Sequence, residues 1–223
     1  MSLILSIESA TKNCSVALSD ESGLISLKEE HSQKYIHAER LHILIKEVIG
    51  DRSKDLSAIA ISKGPGSYTG LRIGTAASKG LCFALDLPLI ALSTLEHMAA
   101  QAREEHPGFD YYLPMIDARR MEVYTATFDA TGNTLQEAQA LEVLEESFIH
   151  LSGTVLKLGD CAGKCEGFLQ HPSMKFNASF LPSAKGMSLL AHSVLAKKKT
   201  VDPAYFEPYY LKEFVAGKPK SLL

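Results

Sequence analysis

The chain has 223 residues, of which 46% are hydrophobic and 22% charged, the balance of a globular protein with one large domain or two small ones. A formal net charge of −3 argues against a stand-alone nucleic-acid binder, which is normally basic, so any RNA contact needs a partner. Cys14, Cys82, Cys161 and Cys165 form no C-x-x-C pair and read as reduced thiols of a cytoplasmic protein. The N-terminal stretch lacks the basic start of a signal peptide, and no apolar run reaches membrane-spanning length.

Residues 3–7, 14–19 and 24–29 read as three strands joined by turns at 8–13 and 20–23. Ser32 is the expected cap of a helix over 34–49, with Ala38, Leu41, Ile45, Val48 and Ile49 at helical spacing and Gly50 as its stop. Tyr35, Ile36, His42 and Leu44 widen its apolar surface, which fits a helix that meets more than one neighbour. A buried strand over 57–62 leads into Gly64-Pro65-Gly66 and a helix rich in small residues that runs to about Leu85. Residues 89–92 are a fifth strand, and Ser93 or Thr94 caps a third helix to about Glu104. The order β-β-β-α-β-α-β-α is that of the ribonuclease-H-like unit, from which the actin, Hsp70 and sugar-kinase (ASKHA) superfamily is built.

Residues 105–108 read as a linker, 111–116 and 122–128 as strands, and 130–133 as a turn back towards Leu135. A short helix over 145–150, a strand over 155–158 and a long helix over 183–199 follow. Lys197-Lys198-Lys199 suits the negative end of that last helix. The expected architecture is α/β: a ribonuclease-H-like lobe at 1–104 and a reduced version of the same lobe at 105–223.

The stretch from Ser62 to Gly80 organises the chain. A strand, a tight Gly-Pro-Gly turn and a helix start aim unpaired N–H groups at whatever lies over the loop, which suits a phosphate. The spacing is neither that of a Walker A loop nor G-x-G-x-x-G. A phosphate cradle and a simple strand-to-helix turn both remain open here.

Five segments carry a resemblance. They are Ile7-Glu8-Ser9-Ala10-Thr11, His31-Ser32, the run from Lys63 through Gly64-Pro65-Gly66-Ser67-Tyr68-Thr69-Gly70-Leu71-Arg72 to Gly74, Pro88 to Glu96, and Ile116-Asp117-Ala118-Arg119-Arg120 to Tyr124. Pro208-Tyr209-Tyr210-Leu211-Lys212 adds a closing motif with Lys where Arg is usual. Together they resemble the bacterial tRNA threonylcarbamoyladenosine biosynthesis family TsaB, also called YeaZ. The resemblance implies a non-catalytic paralogue of TsaD that pairs with TsaD and is joined by the ATPase TsaE. That assembly transfers threonylcarbamoyl from threonylcarbamoyl-AMP to N6 of adenine 37 in tRNAs reading codons that begin with A. It also implies a homodimer when free, tRNA contact through the complex, no membrane, no cofactor for the isolated chain, and ATP or ADP only in the assembly.

TsaD binds a metal with His-x-x-x-His on its third helix; here Thr94 and Met98 fall at the two ligand positions. His97 is one residue away, a rotation of about 100° around the helix. His31, His37 and His42 read as solvated or capping residues. Glu8 stands where kinases of the superfamily place an acid, but the turn after it lacks their glycine, so hydrogen bonding or a vestigial role is expected. Thr11, Gly64, Gly66 and Arg119 join it as vestigial phosphate contacts. Arg119 and Arg120 beside Asp117 could grip a phosphate or a partner's carboxylate, or make an inter-lobe salt bridge. Gly70, Gly74 and Ser78 recur every four residues, with Ile73, Ala77 and Leu81 alongside. With Tyr35, Leu41 and Ile45 of the first helix they form the expected partner interface. An independent small-molecule kinase is the alternative, and it would need acidic pairs and glycine turns in both halves.

Overall fold

The computed structural model describes residues 2–33, 36–144, 147–148, 150–161 and 173–212. Strands β1 (Leu3–Glu8), β2 (Asn13–Asp20) and β3 (Gly23–His31) form an antiparallel meander, and β4 (Leu56–Gly64) and β5 (Leu89–Ser93) add in parallel. The sheet order is β3-β2-β1-β4-β5. Side chains alternate between its two faces. Leu5, Ile7, Val16, Leu18, Ile59 and Ile61 point to one core, and Ile4, Ala17, Ala58, Ala60, Ile90 and Leu92 to another. Helices α1 (His37–Ile49) and α2 (Tyr68–Leu85) lie side by side over the first face. Helix α4 (Ala184–Ala196) covers the second.

Helix α3 (Thr94–Glu105) leads to a second sheet, against which it packs. This comprises β6 (Tyr111–Asp117), β7 (Glu122–Asp129), β8 (Thr134–Glu142), β9 (Val155–Leu158) and β10 (Met174–Asn177) in the order β10-β9-β6-β7-β8. Strand β8 is Gln- and Glu-rich at an edge and β10 has four residues, so neither carries a strong strand signal.

The helix starts differ from expectation. Ser32 does not cap α1, which begins after Ile36 with no side-chain cap. Ser67 caps α2 by accepting from Gly70 N, and Ser183 caps α4 by accepting from Lys185 N. Of the expected helix at 145–150, residues 145, 146 and 149 lie outside the described residues, as does Cys165. The chain changes sheet between Glu105 and Tyr111, but 105–223 is not one packing unit. Helix α4 returns to the first sheet, Val201 bridges to Leu89, and Phe206 packs on the first core. Cys14, Cys82 and Cys161 are buried and form no disulfide among the described residues; burial pushes the Cys14 thiol up to about 12 and the Cys82 thiol to about 11, which makes both inert.

Candidate functional site

The glycine loop is filled by the chain's own backbone. Gly64 has φ +108°, and a Cβ there would lie 2.7 Å from the Tyr209 carbonyl oxygen. A Cβ on Gly66 would meet the Ala10 carbonyl oxygen at 2.5 Å, and Ser67 N donates to that same oxygen at 2.7 Å. The cradle reading is therefore corrected: one side of the loop holds the β1–β2 turn and the other holds the C-terminal segment. Thr11 is buried and accepts from Asn13 N within that turn.

The turn is fixed from below by Glu8. Its carboxylate is fully buried, and Oε1 accepts from Ala10 N. Its Oε2 lies 2.6 Å from Nε2 of His97, also fully buried, which places the imidazole proton on Nε2. Nδ1 of His97 has no hydrogen-bond partner among the described residues. The one-residue offset from the metal-ligand position thus turns His97 onto the end of β1. Thr94 and Met98 are committed elsewhere. Thr94 Oγ1 and Ser62 Oγ are 2.7 Å apart, and Met98 sits in the core between α3 and the second sheet. Among the described residues no three His, Cys, Asp or Glu side chains are arranged to hold a metal.

His37 is not a solvated or capping residue: it is fully buried at the start of α1. Burial lowers its pKa below the ordinary value, opposed by Glu8 and by the Asn13 and Thr11 backbone. His31 and His42 are exposed.

The expected interface ridge also needs correcting. Gly70 approaches the Ser9 carbonyl so closely that a Cβ would stand 2.1 Å from it. A Cβ on Gly74 would be 2.1 Å from Ser9 Oγ. Ala77, Ser78, Leu41 and Ile45 are buried in the chain's own packing, Ile73 and Leu81 are half-buried, and Tyr35 lies outside the described residues. The small residues seat α2 on the β1–β2 turn. The face of α2 left to solvent is one step round the helix: Thr69, Arg72, Ala76, Gly80 and Phe83, with Ile73 at its margin. Phe83 is 91% exposed, and Ile43 on neighbouring α1 is 42% exposed.

At the end of β6, Asp160 Oδ1 accepts from Asp117 N and Asp117 Oδ1 accepts from Arg119 N. Protein packed around its carboxyl, with the Asp117 charge, raises the Asp160 pKa although the residue as a whole stays exposed. Arg119 and Arg120 are exposed, with φ of +65° and +52°, and neither forms an ion pair among the described residues. The inter-lobe ion pair in this region instead joins Lys212 to Glu122.

Nothing in the local spacing of residues 200–212 predicts that this segment is a strap across the first lobe. Tyr209 N donates to the Lys63 carbonyl at 2.7 Å, and Lys79 Nζ donates to the Ala204 and Phe206 carbonyls. The Tyr210 ring lies 5.0 Å from that of Tyr68, over which the Arg72 guanidinium sits at 4.4 Å. The glycine at 64 was the one local hint, since it marks a close backbone approach.

A family model described as TsaD, tRNA N6-adenosine threonylcarbamoyltransferase, matches residues 29–217. The tRNA threonylcarbamoyladenosine biosynthesis protein TsaB of Escherichia coli K12 is 33% identical, with 96% of each chain covered. The solved structure of YeaZ from Pseudomonas aeruginosa is 30% identical and superposes with a TM-score of 0.82, over 95% of this chain and 100% of that one. An inorganic polyphosphate/ATP-glucomannokinase from Arthrobacter sp. strain KM, 10% identical at a TM-score of 0.50 over 88% of this chain and all of that one, shares the fold alone.

Proposed function

The chain belongs to the TsaB (YeaZ) family of tRNA threonylcarbamoyladenosine biosynthesis proteins, and from that membership we propose that it is a non-catalytic subunit supporting the catalytic paralogue TsaD. In this reading TsaE joins the pair, and the assembly modifies N6 of adenine 37. The isolated chain uses no cofactor, and ATP or ADP belongs to the assembled complex. The observation that carries the reading is the face of α2 left to solvent: Thr69, Arg72, Ala76, Gly80 and a nearly bare Phe83, with Ile43 also exposed on α1. A large apolar side chain left almost fully exposed among small residues on a helix suits a helix–helix contact. The TsaD family model spans both helices, so the paralogue carries a comparable pair and two similar layers can meet about a pseudo-twofold axis. The same face serves a homodimer when TsaD is absent.

The residues that would make this lobe an enzyme are used for packing. Thr94 bonds Ser62, Met98 is core, and the glycine loop is filled by Ala10 and Tyr209. The test is reconstitution with TsaD, TsaE, tRNA, ATP and threonylcarbamoyl-AMP. Modification should require this chain, and the chain alone should show none. Equal turnover without it would overturn the proposal.

A further inference from the structure

We infer that the C-terminal strap is part of the face that meets the partner subunit, with Tyr205 of the strap and Phe83 of α2 as its paired aromatic anchors. This rests on the subunit reading above and adds to it a second, non-helical element. Successive residues of an α-helix stand about 100° apart around its axis. Tyr68, Arg72 and Lys79 therefore fall within about 40° of one another, and all three hold the strap. The Tyr68 ring lies 5.0 Å from that of Tyr210, Arg72 is hydrogen-bonded to Tyr210, and Lys79 Nζ donates to the Ala204 and Phe206 carbonyls at 3.1 and 3.2 Å. The strap thus runs antiparallel to α2 along one side of it. Phe83 comes about 40° further round than Lys79, and the exposed Ala76, Thr69 and Gly80 follow in steps of about 20°. The solvent face of α2 begins beside the strap, at Phe83.

Tyr205 lies between the two carbonyls that Lys79 holds, and Lys79 is one helical turn from Phe83. The two side chains are 85% and 91% exposed, the barest large apolar groups among the described residues. Their backbone is fixed, since Phe206 packs on the first core and Phe83 is on a helix. Large rings on a fixed backbone lose little freedom when covered, which is what binding hot spots need. Area and charge select a protein as the occupant. A stable contact takes about 800 Å² from each partner. One ring supplies about 150–250 Å², and Thr69, Ala76 and Gly80 add little, so α2 falls short without the strap. The charges here are already used: Lys79 on carbonyls, Arg72 on Tyr210 with Glu207 nearby, and Asp202 Oδ1 on Ala204 N. Ring and small-residue surface is what remains to be covered, and it fits an apolar surface of TsaD rather than a phosphate backbone, which needs free cations.

The experiment titrates the full chain with TsaD by calorimetry. Tyr205→Ala should keep the parent's melting temperature within a degree or two, because the ring is bare, and raise the dissociation constant about tenfold or more. Leu135→Ala, which removes an exposed apolar side chain from β8, should bind like the parent. Unchanged TsaD affinity in Tyr205→Ala would overturn the inference, even if self-association of the free chain or tRNA binding by the complex had changed. An equal loss in Leu135→Ala would overturn it too, because the effect would not belong to this face. Either result leaves the subunit reading standing as long as tRNA modification still depends on the chain; that reading fails only if modification runs without it.

Discussion

His97 stands one helical step from the position of a metal-binding histidine, and that step decides what its ring can touch. A rotation of about 100° takes it from the direction of Thr94 and Met98 to the Glu8 carboxylate. The partners are 89 residues apart and both fully buried, so the pairing left no trace in local spacing. What the sequence did make legible is that Thr94 and Met98 replace ligands. Removing one member of a buried, bonded pair strands the other, at a cost of about 3–5 kcal/mol. His97→Ala and Glu8→Ala should each lower stability by that order in urea titrations, and the double variant should cost less than the sum. Additive losses would show that the two groups do not act as a pair. His37 gives a pH dependence. Burial lowers its folded pKa, so below its ordinary value near 6.5 the unfolded chain binds a proton that the folded chain does not. Stability at His37 is therefore complete above about pH 6.5 and falls as pH drops below it. His37→Gln should flatten the stability profile between about pH 7 and 5.5 relative to the parent; parallel profiles would assign the slope elsewhere.

At the scale of the element, α2 shows why a small-residue ridge is ambiguous in sequence. Glycine every four residues allows close approach but does not say of what. Here Ser9 takes that approach, at Gly70 through its carbonyl and at Gly74 through its hydroxyl. The helix periods of α1 and α2 were readable because their buried stripes are long and apolar. Which stripe faces inward depended on a turn that follows β1. The two faces should respond differently to substitution. Gly70→Ala strikes backbone and should cost about 1–3 kcal/mol, whereas Gly74→Ala meets a movable hydroxyl and should recover in part when combined with Ser9→Ala. Phe83→Asp, on the bare face, should leave the melting temperature within a degree or two but abolish co-elution with TsaD, because a charge would enter an apolar contact. If Phe83→Asp co-elutes like the parent while Gly70→Ala, still folded, does not, the ridge is the interface after all.

For the whole molecule, the two lobes are bound together by segments that leave one and return to the other. Helix α4 follows the second sheet yet fills the second face of the first one, with Ala184 N bonded to Ser15 Oγ across 169 residues. The strap then crosses α2 and reaches Lys212, paired with Glu122 on β7. The meander-plus-crossover order of the first lobe was legible because its elements are consecutive and each carries its own period. The return of α4 and the strap was not, because a helix pattern fixes which of its faces is apolar and not which sheet receives it. The strap's apolar contacts should matter more than its ion pair. A half-exposed pair such as Lys212–Glu122 contributes at most about 1 kcal/mol, whereas Val201 and Phe206 cover the edge of the first core beside Leu89. A chain ending at Lys199 should therefore melt clearly lower than the full chain, and its amides in β5 and the first turns of α2 should exchange faster. Lys212→Ala should change neither by a comparable amount. If the point variant were as damaging as the truncation, the lobes would be held by charge, and raising the salt concentration would reproduce the loss in the intact protein.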